Sequence, residues 1–110
     1  MMNQRSAFNA EMARFLAERA LAGKTVTYGE FARQFGLANQ GCGPVLTGIA
    51  QWLHAHGQPL LSIIVVNKST GLPSIDARVY EQMGISSEAD AMAEIRRCHD
   101  YDWSAAAFMR

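Results

Sequence analysis

The stretch "LLSIIVVNKSTGLPS", Leu60 to Ser74, decides what kind of fold this chain can adopt. A nearly continuous apolar, β-branched run leads into "NKSTG", where Gly71 can supply a positive φ, and "LPS" leads back. This reads as a well-buried strand, a turn and a return strand. Pro73 has no amide hydrogen to donate, which puts the return strand at an edge. Just upstream, "GPVLTGIAQWLHAHGQP" has helical spacing, with Val45, Leu46, Ile49, Trp52, Leu53 and His56 on one face. Pro44 fits the first helical position, where its missing N–H is an orphan anyway. Gly57 ends this helix and Pro59 prevents its return. Thr47, Gln51 and His54 share another face, the one expected to meet solvent.

Two more helices precede it. Phe8, Met12, Phe15, Leu16 and Ala20 predict a first helix from about Ser6 to Ala22, with Gly23 as its stop. In "VTYGEFARQFG", Thr27 and Glu30 have the spacing of a capping box, flanked by a Val26–Phe31 hydrophobic staple. Tyr28, Phe31, Ala32 and Phe35 give the i, i+3, i+4, i+7 stripe of a short second helix, and Gly36 is placed to close it left-handed. Downstream, a short helix is expected over Arg78 to Met83. A last one runs from the candidate cap Ser87 to about His99, burying Met92, Ile95 and Cys98. Tyr101 and Trp103 are expected to fold back.

Helix, helix, helix, hairpin, helix is the winged helix-turn-helix plan in a mostly α, α+β domain. A chain of 110 residues suits one domain: a helical core and hairpin over residues 1–75, and a C-terminal helical extension over 76–110.

Composition narrows the function classes. Cys42 and Cys98 are far apart in no CxxC grouping, so free thiols are expected rather than a disulfide scaffold. Arg5, Glu11 and Arg14 interrupt the apolar region a signal peptide would need, and no apolar run approaches a membrane span. A cytoplasmic protein is the expectation. The net charge is zero, yet residues 1–75 hold six cations against three anions and residues 76–110 four against seven. From Gln34 to Asn67 there is no Lys, Arg, Asp or Glu at all. A charge-free helix and hairpin is an unusual surface to offer nucleic acid, and interface cores between proteins are depleted in charge.

The residues "GKTVTYGEFARQFGLANQG", "GPVLTGI" and "QPLLSIIVVNKSTGLPS" together resemble the C-terminal domain of alkylguanine-DNA alkyltransferases and the alkyltransferase-like proteins. The resemblance covers about Gly23 to Ser74, and "TVTYGEFA" is its most specific part. It implies a winged-helix fold and a DNA partner. Tyr28 matches the family tyrosine that touches the backbone of a flipped nucleotide. Matching Gln58–Pro59 to the family's Asn-Pro puts the Pro-Cys-His-Arg active site on Val65 to Lys68. Val66 then replaces the cysteine, Asn67 the histidine, and Lys68 keeps the arginine's charge. Val45 falls where the family has the arginine that fills the vacated base site. Alkyl transfer is thereby excluded by the resemblance itself, and the scaffold looks like that of small bacterial and phage proteins of this class.

Each candidate has two readings. Tyr28 either touches a phosphate or simply opens the buried stripe of the second helix. Thr47, Gln51 and His54 either reach base edges or form an ordinary solvated face. Lys68 and Ser69 either grip a backbone or make a polar turn tip. Lys24, Arg33 and Lys68 can join the positive end of the third helix in holding phosphates. "CHDYDW" lacks a second ligand pair for a metal, and "GCG" lacks the further Gly or Lys of a phosphate loop, so neither a metal nor a cofactor is expected. The expected function is a non-enzymatic nucleic-acid-binding module with duplex DNA as partner. The alternative is a protein-binding module, a homodimerisation domain or an inhibitor of a host complex, anchored by Trp52, Tyr101 and Trp103.

Overall fold

The computed structural model describes residues 8–38, 42–73 and 77–109. Helix α1 (Ala10–Leu21) starts at Asn9, whose side chain accepts the Met12 amide at 3.0 Å. It buries Met12, Ala13, Leu16, Ala17 and Ala20, while Phe8 and Phe15 are half-buried beside them. The start expected near Ser6 falls outside the described residues, and the cap at Asn9 gives the reason for a later one: its side chain competes with continued helix. Gly23, at φ 71°, closes α1 as its amide and that of Lys24 bond to the Ala20 and Arg19 carbonyls.

Strand β1 (Val26–Thr27) leads straight into α2 (Tyr28–Phe35). The capping box forms as the spacing predicts. The Glu30 amide donates to Thr27 Oγ1 at 3.1 Å, and the Thr27 amide donates to Glu30 Oε1 at 2.9 Å. Val26 and Phe31 are both buried, and Gly36 sits at φ 67°. Helix α3 (Cys42–Ala55) begins two residues before Pro44, so the proline lies in the first turn rather than at its first position. The first turn has no intrahelical donors to lose, which is why it tolerates the ring there.

The apolar run does not form the long strand that its composition suggests. Leu61–Ile64 is a 3-10 turn whose four residues are all fully buried, and only Val65–Val66 is extended, as β2. The turn packs against α1, α3 and α5 (Glu88–Asp100). A strand points side chains to two faces, whereas a 3-10 turn with three residues per revolution points them in three directions. Three helices surround this segment, so the turn is the conformation that fills all of the space at once.

β2 pairs with β1 in parallel, Val26 opposite Val65 and Thr27 opposite Val66. A parallel pair needs a crossover, and α2 with α3 supplies it. The expected antiparallel hairpin is thus replaced, among the described residues, by this ladder and a polar turn. The turn is closed by Asn67 N–H to Leu72 O and Gly71 N–H to Asn67 O, both 2.8 Å. Pro73 has no N–H with which to extend the return limb, and Ser74 lies outside the described residues.

Helix α4 (Ala77–Gln82) and α5 complete the body. Ser87 caps α5 by accepting the Asp90 amide at 3.1 Å. The buried face of α5 is Ala91, Glu94, Ile95 and Cys98. Met92, expected in the core, is 41 % exposed because the i, i+3, i+4, i+7 stripe runs from Ala91 and leaves its neighbour outside. Trp103 folds back completely, with its indole N–H on the Cys98 carbonyl at 2.8 Å. The structure is mostly α with one small sheet, as expected for its class.

Candidate functional site

Where α1 ends and α2 begins, three cations from separate elements open onto one cavity of about 450 Å³. Arg19 comes from the last turn of α1, Lys24 from the link into β1, and Arg33 from the last turn of α2. The reversal at Gly23 brings Lys24 back beside Arg19, its amide on the Arg19 carbonyl at 3.0 Å. The Arg19 guanidinium lies over the Phe15 ring, 5.0 Å from its centroid, which is the i, i+4 spacing on α1. None of the three makes an ion pair within 4 Å with another described residue.

Among the described residues that line this cavity, Glu30 is the one carboxylate. The Thr27 amide holds its carboxyl below the usual carboxylate value, and the nearby charges of Arg19 and Arg33 act in the same direction. It is therefore ionised at neutral pH, and the cavity keeps two positive charges beyond it. Lys24 and Arg33 were legible as candidate phosphate contacts. Arg19 was not, although its spacing from Phe15 marks a guanidinium that the helix can hold in place.

The other expected contacts do not join this cavity. On α3, Gln51 and His54 are exposed and Thr47 is half-buried. His54 borders a small cavity of about 220 Å³ with Gln58 and Arg97 instead. Lys68 and Ser69 stand exposed on the polar turn. Asn67 Oδ1 accepts both the amide and the hydroxyl of Ser69 at 2.9 Å, so that hydroxyl already has a structural use. Tyr28 is half-buried against the core.

A second cavity of about 560 Å³ lies between the polar turn and α4–α5, with Asn67, Leu72, Pro73 and Tyr80 in its lining and carboxylates at Glu81 and Glu88. Behind it, the Tyr80 phenol and the Ser62 hydroxyl are hydrogen-bonded to each other in the core. Burial pushes the Tyr80 phenol well above its ordinary range, and Tyr28, Cys98 and Glu94 add to the shift. Glu94, 7 % exposed, accepts the Leu60 amide at 2.9 Å and an Arg97 N–H at 2.8 Å. Cys98 donates from Sγ to the Leu60 carbonyl at 3.4 Å. These groups clamp the 3-10 turn from outside it, and no local spacing announces them.

Cys42 and Cys98 are both buried, and burial raises both thiols, Cys98 strongly. In "CHDYDW", Cys98 engages Leu60 and the His99 ring meets the Lys24 carbonyl at 3.1 Å. Among the described residues no three His, Cys, Asp or Glu side chains cluster as a metal site. No helix among them is long and apolar enough to cross a membrane.

The aromatic anchors of the protein-binding alternative are not exposed together. Trp103 is fully buried, and Trp52 is half-buried, stacked between Phe8 at 4.2 Å and His56 at 3.8 Å. Tyr101 is 36 % exposed. Their rings pack within the fold: Tyr101 on Trp103, and Trp52 and Trp103 each against Phe108. Comparison of the chain with protein-family models, curated proteins and solved structures gives no match in any of the three.

Proposed function

We propose that this chain is a non-enzymatic, winged-helix-like module that binds nucleic acid, with duplex DNA as its partner. In this reading α2 and α3 form the helix-turn-helix pair, and the Asn67–Leu72 turn stands in the wing's place. The observation that carries it is the convergence of Arg19, Lys24 and Arg33 on one cavity, with Glu30 the one carboxylate against them among the described residues. Exposed Gln51 and His54 on α3 and Lys68 on the turn are the further contacts it uses. Two buried, protonated thiols and an aliphatic Val66 in the sheet are consistent with binding rather than alkyl transfer. The burial of Trp103 and the stacking of Trp52 leave the protein-binding alternative without two of its named anchors, and its support is then the charge-free span from Gln34 to Asn67.

Fluorescence anisotropy with duplex and single-stranded oligonucleotides tests the reading. Binding through these cations implies an affinity that falls steeply with salt, each neutralised phosphate charge adding about 0.9 to the log–log slope on duplex DNA. Replacing Arg19, Lys24 and Arg33 together by alanine should flatten that slope. Absence of binding to either form at low salt sinks the proposal.

A further inference from the structure

We infer that the cavity between α1 and α2 is a receptor for a terminal phosphate monoester, the phosphorylated end of a nucleic-acid strand. The source of the ligand rests on the nucleic-acid reading; the chemistry rests on the cavity alone.

Its volume falls within the range of a small-ligand pocket, about 300–1,000 Å³, with Arg19, Lys24, Thr25 and Arg33 exposed around its mouth. Charge leads the same way. Three cations and the Glu30 carboxylate leave two positive charges, which match a monoester carrying about −1.5 to −2 near neutral pH. An internal diester carries a single negative charge and two free oxygens. A monoester presents three, each able to accept more than one hydrogen bond.

The donors fit that number. Arg19 and Arg33 each offer a planar fork, Lys24 offers an ammonium, and Thr25 adds a hydroxyl in the same lining. The four residues come from three directions: the end of α1, the link into β1 and the end of α2. Arg19 is partly preorganised by its seat on the Phe15 ring. Lys24 is fixed at its backbone from two sides, by its amide on Arg19 and by the His99 ring at its carbonyl. None of Thr47, Gln51, His54 and Lys68 borders this cavity, so it is a point of attachment separate from the expected groove-reading face.

The test is anisotropy at about 50 mM salt, where ionic contacts are strong, with short strands of one sequence ending in 5′-phosphate, 3′-phosphate or hydroxyl. Adenosine 5′-monophosphate and inorganic phosphate serve as unlabelled competitors. The expected result is about tenfold tighter binding of a phosphorylated end, abolished by Arg33→Ala or Lys24→Ala with unchanged circular dichroism. Equal affinity for phosphate and hydroxyl ends overturns this inference and leaves nucleic-acid binding standing. Saturable binding of adenosine 5′-monophosphate that Arg33→Ala removes, with no strand bound, supports the receptor and overturns its nucleic-acid source. Binding of none of these probes overturns both.

Discussion

The hydrogen bond between Ser62 and Tyr80 lends itself to a double-mutant cycle. Ser62 is fully buried, Tyr80 is 3 % exposed, and each hydroxyl is the other's hydrogen-bond partner. Tyr80→Phe keeps the ring and orphans the Ser62 hydroxyl, and Ser62→Ala orphans the phenol. A buried hydroxyl left without a partner costs about 1–3 kcal/mol. Ser62 is sealed on every side whereas Tyr80 borders the second cavity, so Tyr80→Phe should cost the more of the two. The double variant removes both polar atoms and should cost less than the two singles added, by about 1–3 kcal/mol. Urea unfolding followed by tryptophan fluorescence reads this, because Trp103 sits in the same core. Each 1 kcal/mol corresponds to roughly 4–8 °C in Tm for a domain near this size. Additivity within about 0.5 kcal/mol would refute the reasoning, since it would mean that the two hydroxyls do not depend on each other.

Other outcomes follow from the same physical accounts. Thr27→Ala removes the cap of α2 and should cost about 1 kcal/mol in the same urea assay, while Thr27→Ser should cost little. Glu30→Gln keeps the capping box, since glutamine serves at that position, and removes the carboxylate facing Arg19 and Arg33. It should tighten binding of anionic probes about two- to fivefold with little loss of stability, on the scale of one exposed charge pair. The carboxyls of Glu30 and Asp90 are held below their ordinary values, chiefly by the Thr27 and Ser86 amides. Their contribution is fully present above those ordinary values, 4.5 and 3.8, and is lost as pH falls through the lower folded values. Glu30→Gln should therefore shallow the acid limb of a stability–pH curve, and an unchanged limb would count against the cap's ionic part. Cys42 and Cys98 should resist a thiol reagent at mildly alkaline pH until urea is added, measured by mass spectrometry.

What was legible in the sequence was local. Thr27, Glu30 and Gly36 specify α2 within ten residues, and Ser87 specifies the start of α5, because caps satisfy donors a few positions away. The run from Leu60 to Val66 was not legible in the same way. An apolar run reports burial on all sides but not the backbone path that achieves it. That path is set by Glu94 on the Leu60 amide, Cys98 on the Leu60 carbonyl and Tyr80 on Ser62, all at least 18 residues away. The fold-back of Trp103 was legible from the cost of a bare indole, but its partner, the Cys98 carbonyl, was not, and Tyr101 stays 36 % exposed. For the candidate site, Lys24 and Arg33 stood out as cations in a basic half. Their meeting with Arg19 depends on the reversal at Gly23, which only the folded backbone shows.

The two-residue ladder has one consequence beyond shape. Lys24 and Thr25 run without interruption into Val26 and Thr27, which are zipped to Val65 and Val66 at the far side of the crossover. An anion that steadies Lys24 and Thr25 therefore also discourages the opening of a segment nearly forty positions along the chain. If an anion binds there, deuterium uptake should slow at the ladder amides together with those lining the cavity.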